Sequence, residues 1–279
     1  MKLTVVVDNF VPISTPSPFL GEHGFSLLIE IDSTKILLDV GQSDAVVKNL
    51  SILGLHPNQL DAIVLSHGHY DHTGGLSFIL KHRNKPIPVY GHPGIFQARY
   101  SIANKQKRYI GIPYAKEELT TQGAQWHLST QPMEILPNLM FSGQIPRQTE
   151  YETGDNNLIV CNEQGCDCQD IIEDDTSLYY SCQDGLVVIG GCTHSGLVNT
   201  IDNGLKLTGK KQLKGWVGGT HLGPVCKQQQ DKTLCQIEAY APHFFLPTHC
   251  TGFTMMAELQ RRLKDRFIPS FVSQCVQID

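Results

Sequence analysis

Apolar runs recur at short intervals in the first third of the chain, at Leu3 to Val7, Ser26 to Ile31, Lys35 to Val40, Ala62 to Leu65 and Ile87 to Tyr90. They are rich in Val, Ile and Leu and bounded by Gly, Asp, Asn or Pro, the pattern expected of strands in one sheet. Between them, Asp44 to Leu53 and Gly75 to Lys81 carry apolar residues at helical spacing, with Ser43 or Asp44 placed to cap the first. From His92 to about Arg147 the pattern loosens. A helix is predicted near Ile95 to Lys105, Gly, Pro and Gln punctuate the residues after it, and the stretch at about 92–147 reads as an insertion or lid. Strand patterns return at Leu139 to Phe141, Ser177 to Tyr180, Leu186 to Ile189, Gly215 to Val217 and Phe244 to Leu246, interleaved with helical spacing at Gly196 to Leu207, Thr233 to Tyr240 and Met255 to Phe267. Two successive sets of strands and helices predict two sheets covered by helices, a layered α/β architecture built as one domain over residues 1–279.

Composition narrows the function classes. A chain of 279 residues has room for a large core. Its formal net charge of -5 offers no general attraction to phosphate backbones, so nucleic acid is not an expected partner, and the short basic run Lys105 to Arg108 reads as a solvated helix end. No stretch approaches the ~20 apolar residues of a membrane span, and the apolar run at Leu3 to Val7 is too short for a signal peptide. Nine cysteines are an odd set, which favours reduced thiols and a cytoplasmic location over a disulfide framework. Cys161, Cys166 and Cys168 cluster without the spacing of paired CxxC units and read as part of a loop rich in Cys, Asn, Gly and Asp.

The candidate chemistry lies in Asp61 to Gly75, where a buried-strand pattern runs into His67-Gly68-His69-Tyr70-Asp71-His72 and then a Gly pair. Three imidazoles and a carboxylate in one turn make a poor core but a good donor set for borderline divalent ions, and the spacing can serve two adjacent sites. Further donors stand where later strands end: Cys192 and His194 after Leu186 to Ile189, and His249 with Cys250 after Phe244 to Leu246.

These residues resemble the signature of the metallo-β-lactamase superfamily. The resemblance implies an αβ/βα four-layer sandwich, with His67 and His69 on one metal, Asp71 and His72 on the other, and His249 completing the second. It also implies a bridging aspartate after a strand-Gly pair, where this sequence has Gly191-Cys192. Cys192 as a thiolate and His194 two residues on both remain open there, with His194 preferred. The upstream histidine of many members has no evident counterpart, and Asp174 or Asp175 falls near its place. A narrower similarity rests on Gly21 to Ser26, Gly143 to Arg147, Gly191 to Gly196, Gly218 to Leu222 and His249 to Gly252. Together these look like the subfamily named for dihydropterin ribofuranosylaminobenzene phosphate synthase.

The expectation is a metal-dependent hydrolase with two divalent ions, zinc before manganese or iron, whose activated water attacks a phosphoester or similar ester bond of a small, phosphorylated substrate. Asp71 would orient the nucleophile, His221 would bind substrate or protonate the leaving group, and Glu22, His23 and Arg147 are candidate substrate residues. The alternative implied by the subfamily is a transferase condensing a pterin diphosphate with an aminobenzene ribofuranosyl phosphate by diphosphate displacement. An RNA-processing nuclease would carry a basic patch or a further domain, and a non-catalytic binding protein a broken ligand set; the sequence displays neither.

Overall fold

The computed structural model describes residues 1–161 and 166–279. In chain order the elements are β1 (Lys2–Val7), β2 (Ser26–Ile31), β3 (Thr34–Leu38), α1 (Ala45–Ile52), β4 (Ala62–Val64), α2 (Tyr70–Thr73), α3 (Leu76–Lys81) and β5 (Ile87–Gly91). Next come β6 (Arg99–Ala103), β7 (Gln106–Tyr109), α4 (Lys116–Thr121), β8 (Ala124–Leu128), β9 (Met133–Leu136), β10 (Leu139–Phe141), β11 (Leu158–Cys161) and β12 (Asp167–Gln169). The chain continues through β13 (Ser177–Cys182), β14 (Gly185–Gly190), α5 (Leu197–Thr208), β15 (Leu213–Gly219), α6 (Lys227–Tyr240), β16 (Phe244–Thr248), α7 (Phe253–Leu263) and β17 (Cys275–Gln277).

Among the described residues the strands form a seven-stranded sheet in the order β17-β1-β2-β3-β4-β5-β8, a six-stranded sheet β16-β15-β14-β13-β10-β9, and a small sheet β12-β11-β6-β7. Strand alternation explains how the two large sheets stack. Leu27, Ile29, Ile36 and Leu38 from the first sheet meet Leu178, Val187, Ile189 and Val217 from the second in one buried cluster. The residues between them point the other way: Leu28 and Leu37 pack under α1, α3 and α4, and Leu186, Val188, Trp216 and Phe245 pack under α5, α6 and α7. Three apolar clusters are the three interfaces of four layers, helix, sheet, sheet and helix, so the fold is the expected αβ/βα sandwich.

Each large sheet combines antiparallel and parallel strands. β3, β4, β5 and β8 run parallel, as do β14, β15 and β16. The carboxyl ends of these parallel strands, where open α/β sheets gather their ligands, deliver the polar residues of the candidate metal centre.

The helix expected near Ile95 to Lys105 is corrected: a 3-10 turn at Pro93–Phe96 leads into the β6–β7 hairpin. Asn104 and Lys105 both take positive φ (51° and 63°), the geometry of a tight two-residue hairpin turn. Pairing of β6 with β11, 55 or more residues later, outweighs the local helical spacing. Within the stretch 92–147, β8 joins the first large sheet and β9 and β10 the second, so only β6 and β7 stand apart from the sandwich. β11 carries Cys161 and β12 carries Cys168; the loop read between Cys161 and Cys166 falls at 162–165, outside the described residues.

Candidate metal centre

β4 ends at Val64, and the next eight residues place the imidazoles of His67, His69 and His72 with the carboxylate of Asp71 in a buried loop. The ring orientations follow from what holds Nδ1. Ser66 Oγ donates to Asp39 Oδ2 at 2.7 Å and contacts His67 Nδ1 at 2.9 Å, which leaves His67 Nε2 to face His69 Nδ1 at 3.0 Å. His72 Nδ1 lies 2.7 Å from Asp39 Oδ2, so its Nε2 points inward to within 3.1 Å of Cys192 Sγ. A carboxylate or hydroxyl on the outer nitrogen is how metal-binding histidines are commonly fixed in one tautomer. Gly68 allows the loop to pass the backbone of Ile95, where a Cβ would collide with the carbonyl oxygen.

The second half of the molecule contributes from separate strand ends. β14 leads through Gly191 to Cys192 and His194, and β16 leads to His249, whose Nδ1 sits 2.8 Å from Asn9 Oδ1 and whose Nε2 approaches Asp71 Oδ2 at 3.2 Å. Gly191 has no room for a side chain because Ser66, at the end of β4, lies against it. Asp39, Thr193, His221 and His249 all adopt positive φ, a strain that strand-end loops retain where their side chains must converge.

The donors fall into overlapping groups. Ligand atoms of His67, Cys192 and His194 lie within 4.8 Å of one another, and so do those of His72, Cys192 and His249; His23, Asp71 and His249 form a third such group, and Cys192, His221 and Cys250 a fourth. Cys192 is common to three of these groups. The alternative between Cys192 and His194 therefore resolves into both residues being brought to the cluster, Cys192 at its centre and His194 on the side of His67. The ring of His69 is 4.9 Å from that of His194.

The donor chemistry fits a divalent ion. Burial pushes His67 and His194 well below the ordinary imidazole range and His69 down to about 3, so these rings are neutral and keep a lone pair. Nε2 of His194 is buried with no hydrogen-bond partner. Burial opposes charge on His72 too, but the carboxylates of Asp39 and Asp71 outweigh it and raise that ring to about 9. Asp71 is held well below the usual carboxylate range, against its own burial, by His72, His23 and His249. Burial pushes the Cys192 thiol up, and a thiol that coordinates is deprotonated by the ion it binds.

Two adjacent carboxylates tie the loops together. Asp174 Oδ2 accepts the Gly68 amide at 2.8 Å and Asp175 Oδ2 accepts the Ser195 amide at 2.9 Å, so each holds the loop of one half. Both residues that fall near the place of the absent upstream histidine thus hold backbone amides. Arg99, 1% exposed at the start of β6, donates to Asp174 Oδ1 at 2.5 Å and also to Asp170. Burial pushes Asp174 up to about 6 although Arg99 and the Gly68 amide oppose it.

The expected substrate residues separate. His23 is 54% exposed at its side chain and reaches Asp71 Oδ2 at 3.1 Å, so it belongs to the rim of the cluster. Glu22 does not: its carboxylate accepts the amides of Gln42 and Ser43 and the Ser43 hydroxyl, and a Cβ on Gly41 would run into it. Arg147 also points elsewhere, donating to the carbonyls of His194 and Ile171, and it supports the His194 loop from behind. The ring of His221 lies 4.1 Å from that of His194, groups with the thiols of Cys192 and Cys250, and has Asp155 at 3.9 Å from Nε2. Asp39, Ser66, Asn9 and Arg99 escaped sequence reading; a buried aspartate closing the apolar run of β3 was the available signal for the first.

A cavity of about 140 Å³ opens over the cluster, with His69, Asp71, Cys192, His194, His221 and His249 in its floor and Ser101, Arg108, Ile110 and Leu158 of the small sheet in its roof. The larger cavity of about 930 Å³ lies on the far side of α1 and holds none of these residues.

Comparison with known proteins agrees with this geometry. Residues 20–131 match the metallo-beta-lactamase superfamily. The chain is 29% identical over 280 residues to the 7,8-dihydropterin-6-methyl-4-(beta-D-ribofuranosyl)-aminobenzene-5'-phosphate synthase of Methanocaldococcus jannaschii, covering 96% of this chain and 93% of that protein. It is 31% identical over 259 residues to an uncharacterized protein of the same organism, covering 93% and 94%. A crystal structure of a metal-dependent hydrolase of the beta-lactamase superfamily superposes over 100% of this chain and 99% of its own with a TM-score of 0.83 at 26% identity. With its four layers, its His-rich strand-end cluster and relatives matched along nearly their whole length, the chain belongs to the metallo-β-lactamase superfamily.

Proposed function

We propose that this protein is a dinuclear metal-dependent hydrolase that cleaves a phosphoester or similar ester bond in a small molecule. The observation that carries the reading is the pair of buried donor groups sharing Cys192, His67 with His194 and His72 with His249, with His69 beside the first and Asp71 beside the second. Nitrogen and sulfur donors together favour zinc over manganese or iron. Ions held by these residues would supply a water nucleophile at neutral pH and charge to balance a developing oxyanion.

The chain's own residues do the rest. Asp71 presents Oδ2 between His23 and His249 and can accept the proton of an attacking water. His221, whose ring lines the cavity beside His194, can give a proton to the departing oxygen as the ester bond breaks. The small sheet forms one wall of the cavity over this floor.

The relative named as a synthase favours a second reading, in which the same cluster binds the diphosphate of a pterin substrate and an aromatic amine or carbon nucleophile replaces water. Metal ligands do not separate the two; products do. Metal analysis with turnover of p-nitrophenyl phosphate and its diester should give about two ions per chain and phosphate release, both lost in a His69→Ala, Asp71→Ala double variant. Full metal occupancy with no ester cleavage, but condensation when both partners are supplied, moves the assignment to the transferase. A folded protein that takes up no metal removes both.

A further inference from the structure

The small sheet is more than a cover. Its register places Leu158, Ser101 and Arg108 opposite one another across β11, β6 and β7, so the three side chains share one face, and all three line the cavity over the candidate metal cluster. The neighbouring row, Ile159, Tyr100 and Tyr109, faces away, and Lys107 leaves the cavity to meet Asp167 at 2.5 Å. Arg108 is thus the cation that strand alternation turns toward the site.

Its surroundings leave the charge available. The guanidinium carbon lies 5.3 Å above the ring of Tyr70, and Nη1 is 3.4 Å from the Tyr70 hydroxyl, while no carboxylate pairs with it among the described residues. Stacking on an aromatic face holds a guanidinium in place without neutralising it. The platform is also fixed to the cluster below. The Tyr70 amide donates to the Ile110 carbonyl at 2.9 Å, and Arg99, on the same hairpin, is locked to the aspartate that holds Gly68. A cation on a strand anchored at two points to the ligand loop is preorganised for recognition.

We propose that Arg108, stacked on Tyr70, is an anion subsite at the mouth of the cavity, and that the substrate carries a second anionic group, carboxylate or phosphate, remote from the bond that reacts. The inference rests on the reading of the cluster below as a metal site that handles a phosphorylated molecule.

The test is calorimetric binding of phenylphosphonate, 4-carboxyphenylphosphonate and 4-(carboxymethyl)phenylphosphonate to the metal-loaded protein, none of which requires turnover. The wild type should bind at least one carboxylated compound about tenfold more tightly than phenylphosphonate, the effect of one charge-assisted contact. Arg108→Met should erase that preference while leaving phenylphosphonate affinity and the unfolding midpoint unchanged, and Arg108→Lys should restore part of it. No preference in the wild type for either carboxylated compound, or a preference that survives in Arg108→Met, overturns the subsite. If the Arg108-dependent preference is found but phosphate esters are not cleaved, the subsite stands and the hydrolase reading fails.

Discussion

The two loops that build the candidate metal centre are assembled in opposite ways. After β4, three imidazoles and a carboxylate come from six consecutive residues. Part of their support is near in sequence, Ser66 on His67 and Thr73 donating to the His69 carbonyl at 2.8 Å, while Asp39 behind His72 and Asp174 on the Gly68 amide are distant. After β14 the supports come from afar. Asp175 holds the Ser195 amide, Arg147 the His194 carbonyl, and Glu152 the amides of Val198 and Asn199, both at 2.9 Å, where α5 begins without a side-chain cap of its own. A loop dense in donors can be specified locally, whereas a loop that offers two needs the rest of the fold to aim them.

The largest effect should come from the residue that joins the first loop to the roof. Arg99→Met leaves Asp170 and Asp174 buried without their cation and should destabilise the protein by about 3–5 kcal/mol in denaturant unfolding. A loss under about 1 kcal/mol would mean that the loops are held independently of it. Next, Asp39→Asn removes the charge behind His72 and should weaken metal binding about 10–100-fold in chelator competition with the fold retained; an unchanged affinity would show the first loop to be self-sufficient.

On the second loop, Glu152→Ala strips two buried amides of their acceptor and should cost about 1–2 kcal/mol. Its metal affinity should fall as well, because α5 follows His194 directly; stability lost at constant affinity would separate helix capping from ligand placement. The smallest effect concerns Asp174, which is raised from an ordinary carboxylate to about 6 in the folded protein. The folded state then binds the proton more readily than the unfolded state, so this group's contribution is present at low pH and is lost as pH rises through about 6. Stability of the wild type relative to Asp174→Asn should increase by about 1 kcal/mol from pH 7 to pH 5; a flat difference would place Asp174 in an unshifted environment.

The same contrast governs what could be read in advance. The inner strands of both large sheets were legible because their alternation serves two buried faces at once, as at Leu27 and Leu28 or Val187 and Val188, whereas the edge strands β8, β9 and β17 went unread. Ile95 to Lys105 misled because its helical spacing is local, while the hairpin it forms is decided by pairing with β11 and by left-handed residues at Asn104 and Lys105. Glu22 and Arg147 belong to sequence motifs that resemble the subfamily, yet both are spent on backbone groups, a role that composition cannot distinguish from substrate binding.

By itself the sequence determined the layered α/β class, the density of donors between His67 and His72, and the strand-end positions of Cys192, His194 and His249, because each is a property of spacing along the chain. Only the tertiary structure decided that Cys192 sits between the two donor groups, that Asp39 lies behind His72, and that Asp174 and Asp175 each hold one loop. It also decided that Arg108 faces the cavity. These relations join residues separated by as many as 120 positions, and their geometry exists only once the two sheets have packed and brought the carboxyl ends of their parallel strands to one edge.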